Sequence, residues 1–567
     1  MALRPAALIP PWVRDYDIGG FGADLLAGLI LAILLIPQAM AYALLAGLPP
    51  EAGLYTAMVA PLLYAALGGS AFVSVGPVAL ASLVVADAIA GTELEPMAAA
   101  AIIAVESGAI LLILGAVRLG RLVNFVSEPA LLGFTAAIAV LIAVSQLPAF
   151  LGLDLPRAGN LIDAVPIFAG AGAPDGMTVA VGASVLALLF LANGFADRAI
   201  APLALPAPVR LAVVKGLPLL IIAGAALIAR PFDVARVQAP SGGLPQPMLP
   251  LADPSAWLGL LPSSGLVALV VFVTGTAVAK SLPRRRNDAL NTDREALAVG
   301  AASVAAGVTG GFAPGISLSR SALVESSGAR SPLSSAIGGL IVLPVILFAG
   351  PLLAALPEAA LAALILSAIV GLVKVRDIRA VWTHSRAEGV VIAATFLATV
   401  LFGVRWGLVA GALSGLAVFL WISSQPRVTR IGRADGADNY RSTDRDRVEL
   451  DTLPVLPVRI DRSLYFGNVG HVEARLGEII AAHPQARCLL LDMRGVNAID
   501  ASALRMFDRL RATLADEDLL IAFAALHMPV HDALKAAAPT DDIPCFLTVE
   551  DGVQEMTTRC AAPRDDG

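Results

Sequence analysis

Long apolar segments follow one another through about the first three quarters of this chain, from about residue 23 to residue 421. The 567 residues are 57% hydrophobic and only 15% charged, with a mean hydropathy of +0.80. Soluble domains carry roughly a quarter charged residues. A segment of about 20 apolar residues is long enough to cross the hydrocarbon core of a bilayer as a helix. The sequence therefore predicts an α-helical polytopic membrane protein.

We predict 14 membrane-crossing segments, with centres near residues 34, 60, 84, 106, 137, 185, 219, 269, 302, 322, 341, 365, 395 and 413. Basic residues favour the cytoplasmic loops of membrane proteins. Alternate connections are rich in them, and these carry Arg118, Arg121, Arg198, Arg210, Lys280, Arg284, Arg285, Arg286, Lys374, Arg376, Arg379 and Arg386. The intervening loops hold only Arg157, Arg230, Arg236 and Arg405. This pattern predicts that both termini are cytoplasmic.

A soluble domain is expected after the last apolar segment. We predict a cytoplasmic N-terminus (1–22), a transmembrane domain (23–424), a polar linker (425–451), an α/β domain (452–555) and a tail (556–567). Short apolar strands near 455–460, 488–492, 519–523 and 546–549 alternate there with amphipathic helices near 470–482, 502–514 and 528–537. Asp500 and Ser502 stand at the start of one of these helices, where both are good N-cap residues.

Enzyme chemistry is not expected. The chain shows no nucleophile–base set, no metal cluster and no phosphate-binding loop, so we predict no catalytic residue, no metal site, no cofactor and no nucleic-acid partner. Three cysteines, Cys488, Cys545 and Cys560, are an odd number without close spacing, which argues against a disulfide framework. All five histidines lie outside the apolar segments, which disfavours a histidine proton relay across the membrane.

Two of the predicted segments are short and begin at a Gly-Pro or Pro-Gly pair. They read SVGPVALASLVVADA (74–88) and PGISLSRSALVESSG (314–328), and each is the third segment in its group of seven. Broken helices at equivalent positions indicate an inverted-repeat transporter with its site at the membrane midplane. We place the repeats at about 23–229 and 258–424. The alternative is two kinked or re-entrant helices with a structural role.

Four long motifs stand in the apolar part of the chain: PQAMAYALLAGLPPEAGLY (37–55), VSVGPVALASL (73–83), RLGRLVNFVSEPALLGFTAAIAVLIAVSQL (118–147) and REALAVGAASVAAGVTGGFAPGISLSRSALVESSGARSPLS (294–334). They resemble the SulP (sulfate permease) anion transporters, which include bacterial bicarbonate and dicarboxylate transporters, pendrin and prestin. LYFGNVGHVEARL (464–476) and LLLDMRGVNAIDASALRMFDRL (489–510) are similar to a STAS domain. The resemblance implies a 7+7 inverted repeat in a homodimer. It divides the helices into a core domain (1–4 and 8–11) and a gate domain (5–7 and 12–14), with the anion between the N-terminal ends of helices 3 and 10.

The residues at those two helix starts suit an anion. We expect the third helix to begin at Pro77 and the tenth near Ile316 or Ser317. Two facing helix N-termini offer free backbone N–H groups and the positive ends of two helix dipoles. The candidate donors are the backbone groups of Val78, Ala79, Leu318 and Ser319, with the Ser319 hydroxyl as an addition.

Arg320 supplies a full positive charge beside the start of the tenth helix, where a cation does not stabilise the helix itself. An anion would compensate this charge. The alternative is a permanent ion pair with Glu325 or Glu295. Because other members of the family vary at this position, the resemblance implies a modulator of the site more securely than an obligatory ligand.

Gln38 and Tyr42, four residues apart, share one helix face, and the resemblance places them against the anion. The alternative for this pair is ordinary helix packing.

The eighth helix departs from the family pattern. Many members carry a glutamate where VFVTGTAVAKSL (271–282) has Thr274, so coupling to a proton at this position is doubtful. Thr274 and Thr276 remain candidates for contact with substrate or with a sodium ion. Glu106, in the middle of the fourth segment, is a candidate coupling group, a partner of Arg320, or a neutral acid hydrogen-bonded to a neighbouring helix. Asp87 is expected to be solvated near the outer loop.

The predicted function is secondary active transport of a small anion: bicarbonate, sulfate, chloride or a short dicarboxylate. The core domain would carry the anion past the gate domain as an elevator, coupled to H⁺ or Na⁺. The alternatives are an uncoupled, channel-like anion conductance and a nucleobase permease of the same fold. The expected location is the plasma (inner) membrane. The STAS domain is expected to serve dimer packing or regulation, and phosphorylation of Ser502 is disfavoured because Ala503 follows it where related domains have glycine.

Overall fold

The computed structural model describes residues 11–561 except 15, 121–126, 157, 204–205, 239–242, 248–252, 283–290, 435–439, 443–447, 450–451 and 537–542. Predictions that concern Arg121, Arg157, the arginines at 284–286 and the two ends of the chain lie outside the described residues. The chain forms two compact units, Met1–Gly415 and Leu416–Gly567.

The first unit is helical. Its helices are α1 Pro11–Arg14, α2 Phe21–Ala46, α3 Pro50–Leu67, α4 Ala79–Ala90, α5 Pro96–Ala116, α6 Glu128–Leu151, α7 Leu161–Ala169, α8 Gly176–Ile200, α9 Ala207–Ile228, α10 Pro254–Ser281, α11 Thr292–Val308, α12 Leu318–Ser326, α13 Leu333–Phe348, α14 Gly350–Leu353, α15 Glu358–Ile369, α16 Val375–His384, α17 Arg386–Phe402 and α18 Val404–Ser424. The last of these continues into the second unit.

Each of the 14 predicted centres lies inside one of these helices. Eight helices of the described chain are long and apolar enough to cross a membrane by length and composition. The helical membrane fold is consistent with 14 spans, and the count itself stays a prediction.

Proline and polar N-caps define many of the helix starts. Pro50, Pro96 and Pro254 occupy the first helical turn, where a missing N–H costs no hydrogen bond. Asn291 accepts hydrogen bonds from the backbone of Asp293 and Arg294, and Gly47 ends α2 in the left-handed region at φ 81°.

Glycines allow two helix pairs to touch backbone to backbone. A Cβ atom on Gly53 of α3 would lie 2.0 Å from the carbonyl oxygen of Ala39 in α2. On Gly108 of α5 it would lie 2.6 Å from the carbonyl oxygen of Gly300 in α11, and on Gly300 it would lie 2.8 Å from the carbonyl oxygen of Gly108. Such small residues let membrane helices approach closely. Because the hydrophobic effect does not drive helices together within lipid, the dispersion contacts of this close packing hold them together instead.

A short two-stranded sheet lies inside this helical unit. Strand β1 (Val75–Gly76) precedes α4, and β2 (Gly315–Ile316) precedes α12. They pair antiparallel, with Val75 opposite Ile316 and Gly76 opposite Gly315. The two short helices therefore leave this strand pair in opposite directions, with their starts facing each other across it.

The second unit contains a mixed sheet. Its strands are β3 Val428–Ala434, β4 Tyr440–Ser442, β5 Val448–Glu449, β6 Val455–Ile460, β7 Cys488–Asp492, β8 Leu520–Ala524 and β9 Cys545–Phe546. The sheet order is β4-β3-β6-β7-β8-β9, and β5 also pairs with β3. Strands β6 to β9 run parallel. Helices α19 Val469–Ala481, α20 Ala501–Asp516, α21 Met528–Ala536 and α22 Val549–Ala561 complete the domain.

Two predictions for this unit need correction. The polar segment 425–451 contributes strands to the sheet, since Val428 pairs with Ile460, so the domain begins earlier than the expected linker allows. Cys488 and Cys560 form a disulfide pair, with Cα atoms 6.6 Å apart, whereas cysteine count and spacing favoured no pairing. The parallel sheet and α22 bring these residues together from 72 positions apart.

The start of α20 is capped by Asp500 and not by Ser502. The Asp500 carboxylate accepts hydrogen bonds from the backbone N–H groups of Ser502 and Ala503 at 2.8 and 2.9 Å, and from Phe466 at 2.8 Å. Burial raises the pKa of Asp500, but the donors Ala503, Phe466 and Ser502 outweigh it, so its pKa lies below the ordinary value.

We expect Asp500→Ala to lower the free energy of unfolding of this domain by about 1 kcal/mol, the usual loss for an N-cap. A depressed pKa contributes stability above the unfolded-state pKa and loses it as pH falls through the folded-state pKa. The difference from the unmodified chain should therefore be full at neutral pH and vanish in strong acid. Urea unfolding followed by circular dichroism measures it. Ser502→Ala is the control, and an equal loss there would contradict this assignment.

Candidate functional site

Both short helices begin one or two residues later than predicted. Helix α4 starts at Ala79 with Val78 as its N-cap, and α12 starts at Leu318 with Ser317 as its N-cap. The residues before them are held in β1 and β2, and the Ser317 N–H donates to the Ser74 carbonyl oxygen at 3.1 Å. Strand pairing thus displaces both starts beyond Pro77 and Ile316.

The backbone donors differ between the two helix starts. Val78 provides no side-chain cap, so the first N–H groups of α4 donate no hydrogen bond to a capping side chain. At α12, the Ser317 hydroxyl accepts the Arg320 N–H at 3.4 Å and lies 3.3 Å from the Ser319 hydroxyl. Leu318 and Ser319 are exposed. Free backbone donors and the positive ends of two helix dipoles therefore meet at one place.

Arg320 is fully buried, with 0% of its surface exposed. Its Nη1 donates to Gln38 Oε1 at 3.3 Å, and its Nε donates to Ser74 Oγ at 3.4 Å. Its Nη2 is buried and makes no hydrogen bond with the residues that the structure describes. Within the described part of the chain no acidic side chain forms a salt bridge with it. Arg320 therefore holds a charge that the described protein groups leave uncompensated.

The expected alternatives for Arg320 do not fit these contacts. The Glu295 carboxylate accepts from the Tyr64 hydroxyl at 2.7 Å and from the Gly69 N–H at 3.3 Å. Glu106 accepts from the Ser264 hydroxyl of α10 at 2.6 Å. Among the described contacts Glu325 makes no ion pair. The alternative of a permanent ion pair between Arg320 and one of these carboxylates is therefore wrong. For Glu106, the structure shows the predicted alternative of a hydrogen bond to a neighbouring helix.

Both strands of the pair contain a glycine, Gly76 in β1 and Gly315 in β2. A Cβ atom on Gly76 would lie 3.4 Å from Arg320 Nη2, and one on Gly315 would lie 2.6 Å from a methyl group of Val78. A side chain at Gly315 would collide with the N-cap of α4. The close approach of β2 to the start of α4 therefore depends on glycine at position 315.

Gln38 and Tyr42 both face this place from α2. Both are buried, and Gln38 accepts the hydrogen bond from Arg320. Pro37 lies inside the same helix and removes one backbone donor there. The structure thus brings together Gln38, Tyr42 and Arg320.

Helix α10 packs against strand β2. A Cβ atom on Gly275 would lie 3.0 Å from the Ile316 side chain. The neighbouring Thr276 hydroxyl is buried without a hydrogen-bond partner among the described residues, whereas the Thr274 hydroxyl donates to the Val270 carbonyl oxygen at 2.7 Å. A threonine bonded in this way keeps its lone pairs available as an acceptor. Both threonines are neutral, so α10 brings no charge to the site from these positions.

Serines complete the arrangement, and sequence reasoning missed them. Ser74 accepts from Arg320, and the Ser321 hydroxyl accepts the Ser74 N–H at 3.0 Å. Asp24 was also missed. This buried carboxylate accepts from the Ser331 hydroxyl at 2.6 Å and from the Arg330 and Ser331 N–H groups at 2.6 and 3.1 Å. The signal for the serines was their place beside the broken helices, in SVGP and SLSRS.

Comparison with known proteins decides the family. The model of the sulfate permease family matches residues 21–395, and that of the STAS domain matches residues 448–552. The chain belongs to the sulfate permease family. It is a multi-pass membrane transporter and not an enzyme, as predicted.

Relatives of this sulfate permease family member span nearly its whole length. A chloroplastic sulfate transporter 4.1 of Arabidopsis thaliana is 30% identical over 564 residues, which cover 96% of this chain and 81% of the relative. A probable sulfate transporter of Mycobacterium tuberculosis is 33% identical over 562 residues, covering 96% and 97% of the two chains.

Solved structures share the fold. The murine solute carrier 26 family member A9 anion transporter, in its inward-facing state, has a TM-score of 0.85 at 21% identity and covers 98% of this chain and 96% of its own. The transmembrane domain of a cyanobacterial bicarbonate transporter has a TM-score of 0.58 at 20% identity, over 70% of this chain and 98% of its own. The predicted fold, a helical membrane domain followed by a STAS domain, is confirmed.

Proposed function

We propose that this protein is a secondary active transporter of a small anion, bound between the starts of α4 and α12. The observation that carries the proposal is Arg320, fully buried with an unpartnered Nη2 and no acidic partner among the described residues. Leaving a buried charge uncompensated costs several kcal/mol, so the site favours an anion that supplies the missing charge.

The charge of the site suggests which anion. Each helix N-terminus acts as roughly +0.5 of an elementary charge, so two of them with one guanidinium approach +2. A dianion such as sulfate matches that sum, and relatives of this chain are named sulfate transporters. Bicarbonate, chloride and a short dicarboxylate are the competing substrates. The binding roles of Gln38, Tyr42, Val78, Ala79, Thr274, Leu318, Ser319 and Arg320 are part of this proposal.

The proposed mechanism is an elevator in which the core helices carry the anion past the gate helices. The inward-facing relative with the same fold supports alternating access. We further propose a homodimer in the plasma membrane, with the termini and the STAS domain in the cytoplasm and regulatory contacts through that domain.

Uptake into proteoliposomes tests the proposal. Labelled sulfate, bicarbonate, chloride, a short dicarboxylate and uracil are compared under a pH gradient, a sodium gradient or neither. Accumulation of sulfate against its gradient, driven by one of the two ions, is expected. Uracil uptake without anion uptake would contradict an anion site.

An uncoupled anion conductance is the second candidate, because Thr274 and Thr276 are neutral and Glu106 is bonded to Ser264. In that case every permeant anion would only equilibrate, whatever the ion gradient. A steady internal concentration equal to the external one would favour this candidate over transport.

Glu106 is the proposed proton-coupling group, because it is the acid held inside the membrane on α5. Glu106→Gln should abolish stimulation of uptake by a pH gradient while leaving uptake down the anion gradient in place. Asp87→Asn is the control, since Asp87 lies near the C-terminal end of α4, away from the anion site at its N-terminal end. Unchanged stimulation in the glutamine variant would exclude Glu106 from coupling.

A further inference from the structure

We propose that one edge of the STAS-domain sheet is a membrane-contact surface, and that Phe466, Met528 and Leu547 enter the lipid headgroup and acyl boundary where α18 ends. The proposed anion transport does not include this contact, and the two can fail independently. Three observations support the proposal: the direction of the strands, the exposure of the three side chains and the hydrogen bonds of one buried asparagine.

The three side chains share one edge of the sheet. Strands β6, β8 and β9 run parallel with β7 between β6 and β8, so the loops that follow them meet at the carboxyl edge. Phe466 follows β6, Met528 follows β8 and Leu547 follows β9. With strands about 4.8 Å apart, these positions spread over roughly 14 Å.

All three are large apolar side chains in water-accessible positions. Their exposed fractions are 78% for Phe466, 69% for Met528 and 91% for Leu547. Leu520, at the opposite edge, is the other large apolar residue of the described STAS domain that is exposed, at 42%. Apolar exposure concentrated on one edge marks a contact surface.

Phe466 lies on a loop that several hydrogen bonds hold in place. Its N–H donates to Asp500 at 2.8 Å, and the neighbouring Tyr465 N–H donates to Asn468 Oδ1 at 3.0 Å. Asn468 is buried and its Nδ2 donates to the Ser463 carbonyl oxygen at 3.0 Å. The exposure of Phe466 is therefore built into the fold.

The same asparagine fixes this edge to the end of a membrane helix. Asn468 Nδ2 also donates to the carbonyl oxygen of Ser423, in the last turn of α18, at 3.4 Å. Phe466 is two residues from Asn468, so their Cα atoms are at most about 7 Å apart. Trp421, also exposed in that last turn, is of the type that collects at membrane–water interfaces. Phe466 is thus placed at interface depth.

Lipid is the occupant that these observations favour. Only 11% of the apolar window of α18 is buried, the smallest share among the eight long apolar helices of the described chain. Within one chain α18 leaves most of its apolar surface uncovered, which suits a helix in contact with lipid, and the domain edge is bonded to the end of that helix. Arg462, exposed next to the Phe466 loop, is positioned to meet anionic headgroups.

Spin labelling of the full chain tests the proposal. Single cysteines replace Phe466, Met528, Leu547 and, as the matched control, Leu520, in a Cys545→Ser background. All four positions are exposed, so a label leaves the packed core intact. The labelled chain is reconstituted in vesicles of phosphatidylethanolamine and phosphatidylglycerol. Collision with apolar oxygen and with a water-soluble nickel chelate is then compared.

We expect the oxygen-to-nickel collision ratio to be several-fold higher at Phe466→Cys, Met528→Cys and Leu547→Cys than at Leu520→Cys. A ratio equal to that of the control would place the edge in water and overturn the proposal. Low collision with both reagents would place the edge against protein, in this chain or a second copy, and would overturn it too. Anion uptake, measured separately, decides the proposed function whatever this result.

Discussion

Replacing Arg320 with methionine should raise the dissociation constant for the transported anion at least tenfold, and should make the anion-free protein more stable to heat. Hydrogen bonds to a charged group contribute about 1.5–3 kcal/mol, and 1.4 kcal/mol is a factor of ten in affinity. Methionine is also long and unbranched and carries no charge, so it removes the buried, uncompensated guanidinium while filling much of its space. The two effects have opposite signs, which a general loss of folding would not produce.

Thermal unfolding with and without sulfate measures both effects. An anion that binds only the folded state raises the melting temperature as its concentration exceeds the dissociation constant, so Arg320→Met should show a much smaller rise. Arg379→Met, which removes an exposed charge from the same unit, should behave like the unmodified protein. An unchanged anion-dependent rise in Arg320→Met would remove Arg320 from the site.

Gly53→Ala should be among the most destabilising single substitutions in the membrane domain. The added methyl group would lie 2.0 Å from the Ala39 carbonyl oxygen, which is backbone and has no rotamer to move. Overpacking of a filled core commonly costs about 1–3 kcal/mol, and a clash with backbone belongs at or above the upper end. We expect a large loss of melting temperature in detergent, or failure to assemble.

Gly224→Ala is the matched control for Gly53→Ala. Gly224 also lies inside an apolar helix, α9, but a Cβ atom there would meet nothing within 4 Å. Alanine favours helices over glycine by about 1 kcal/mol, so this variant should be as stable as the parent or more stable. Equal behaviour of the two variants would show that the contact between α2 and α3 is not as close as described.

Apolar length placed the helices well, because a membrane helix must satisfy its own backbone and must be long enough to cross. The centre predicted at residue 84, for example, lies inside α4. The starts of α4 and α12 were less accurate. Pro77 looked like a first helical residue, but pairing of Val75 with Ile316 extends the chain just before it. That pairing joins segments about 240 residues apart, which local sequence does not reveal.

The environment of Arg320 was foreseen only in part. Its charge, and the face shared by Gln38 and Tyr42, could be read from residue type and helix spacing. Its bond to Ser74 and the assignment of Glu295 to Tyr64 depend on which helices pack together. The anion-binding roles of all these residues stay predictions. Likewise the strand at Val428 was hidden, because a strand in a polar segment resembles a linker in composition.

The pairing of β1 with β2 has a consequence for how the anion acts on the two open states. Each strand leads into one of the two short helices, so their starts cannot separate without breaking the pairing of Val75 with Ile316. In the proposed elevator, the anion would then meet the same set of donors whichever side of the bilayer the site opens to. Equal intrinsic affinity on both sides means that the anion itself favours neither the inward-open nor the outward-open state. Concentrations and the coupled ion alone would determine which way the anion flows.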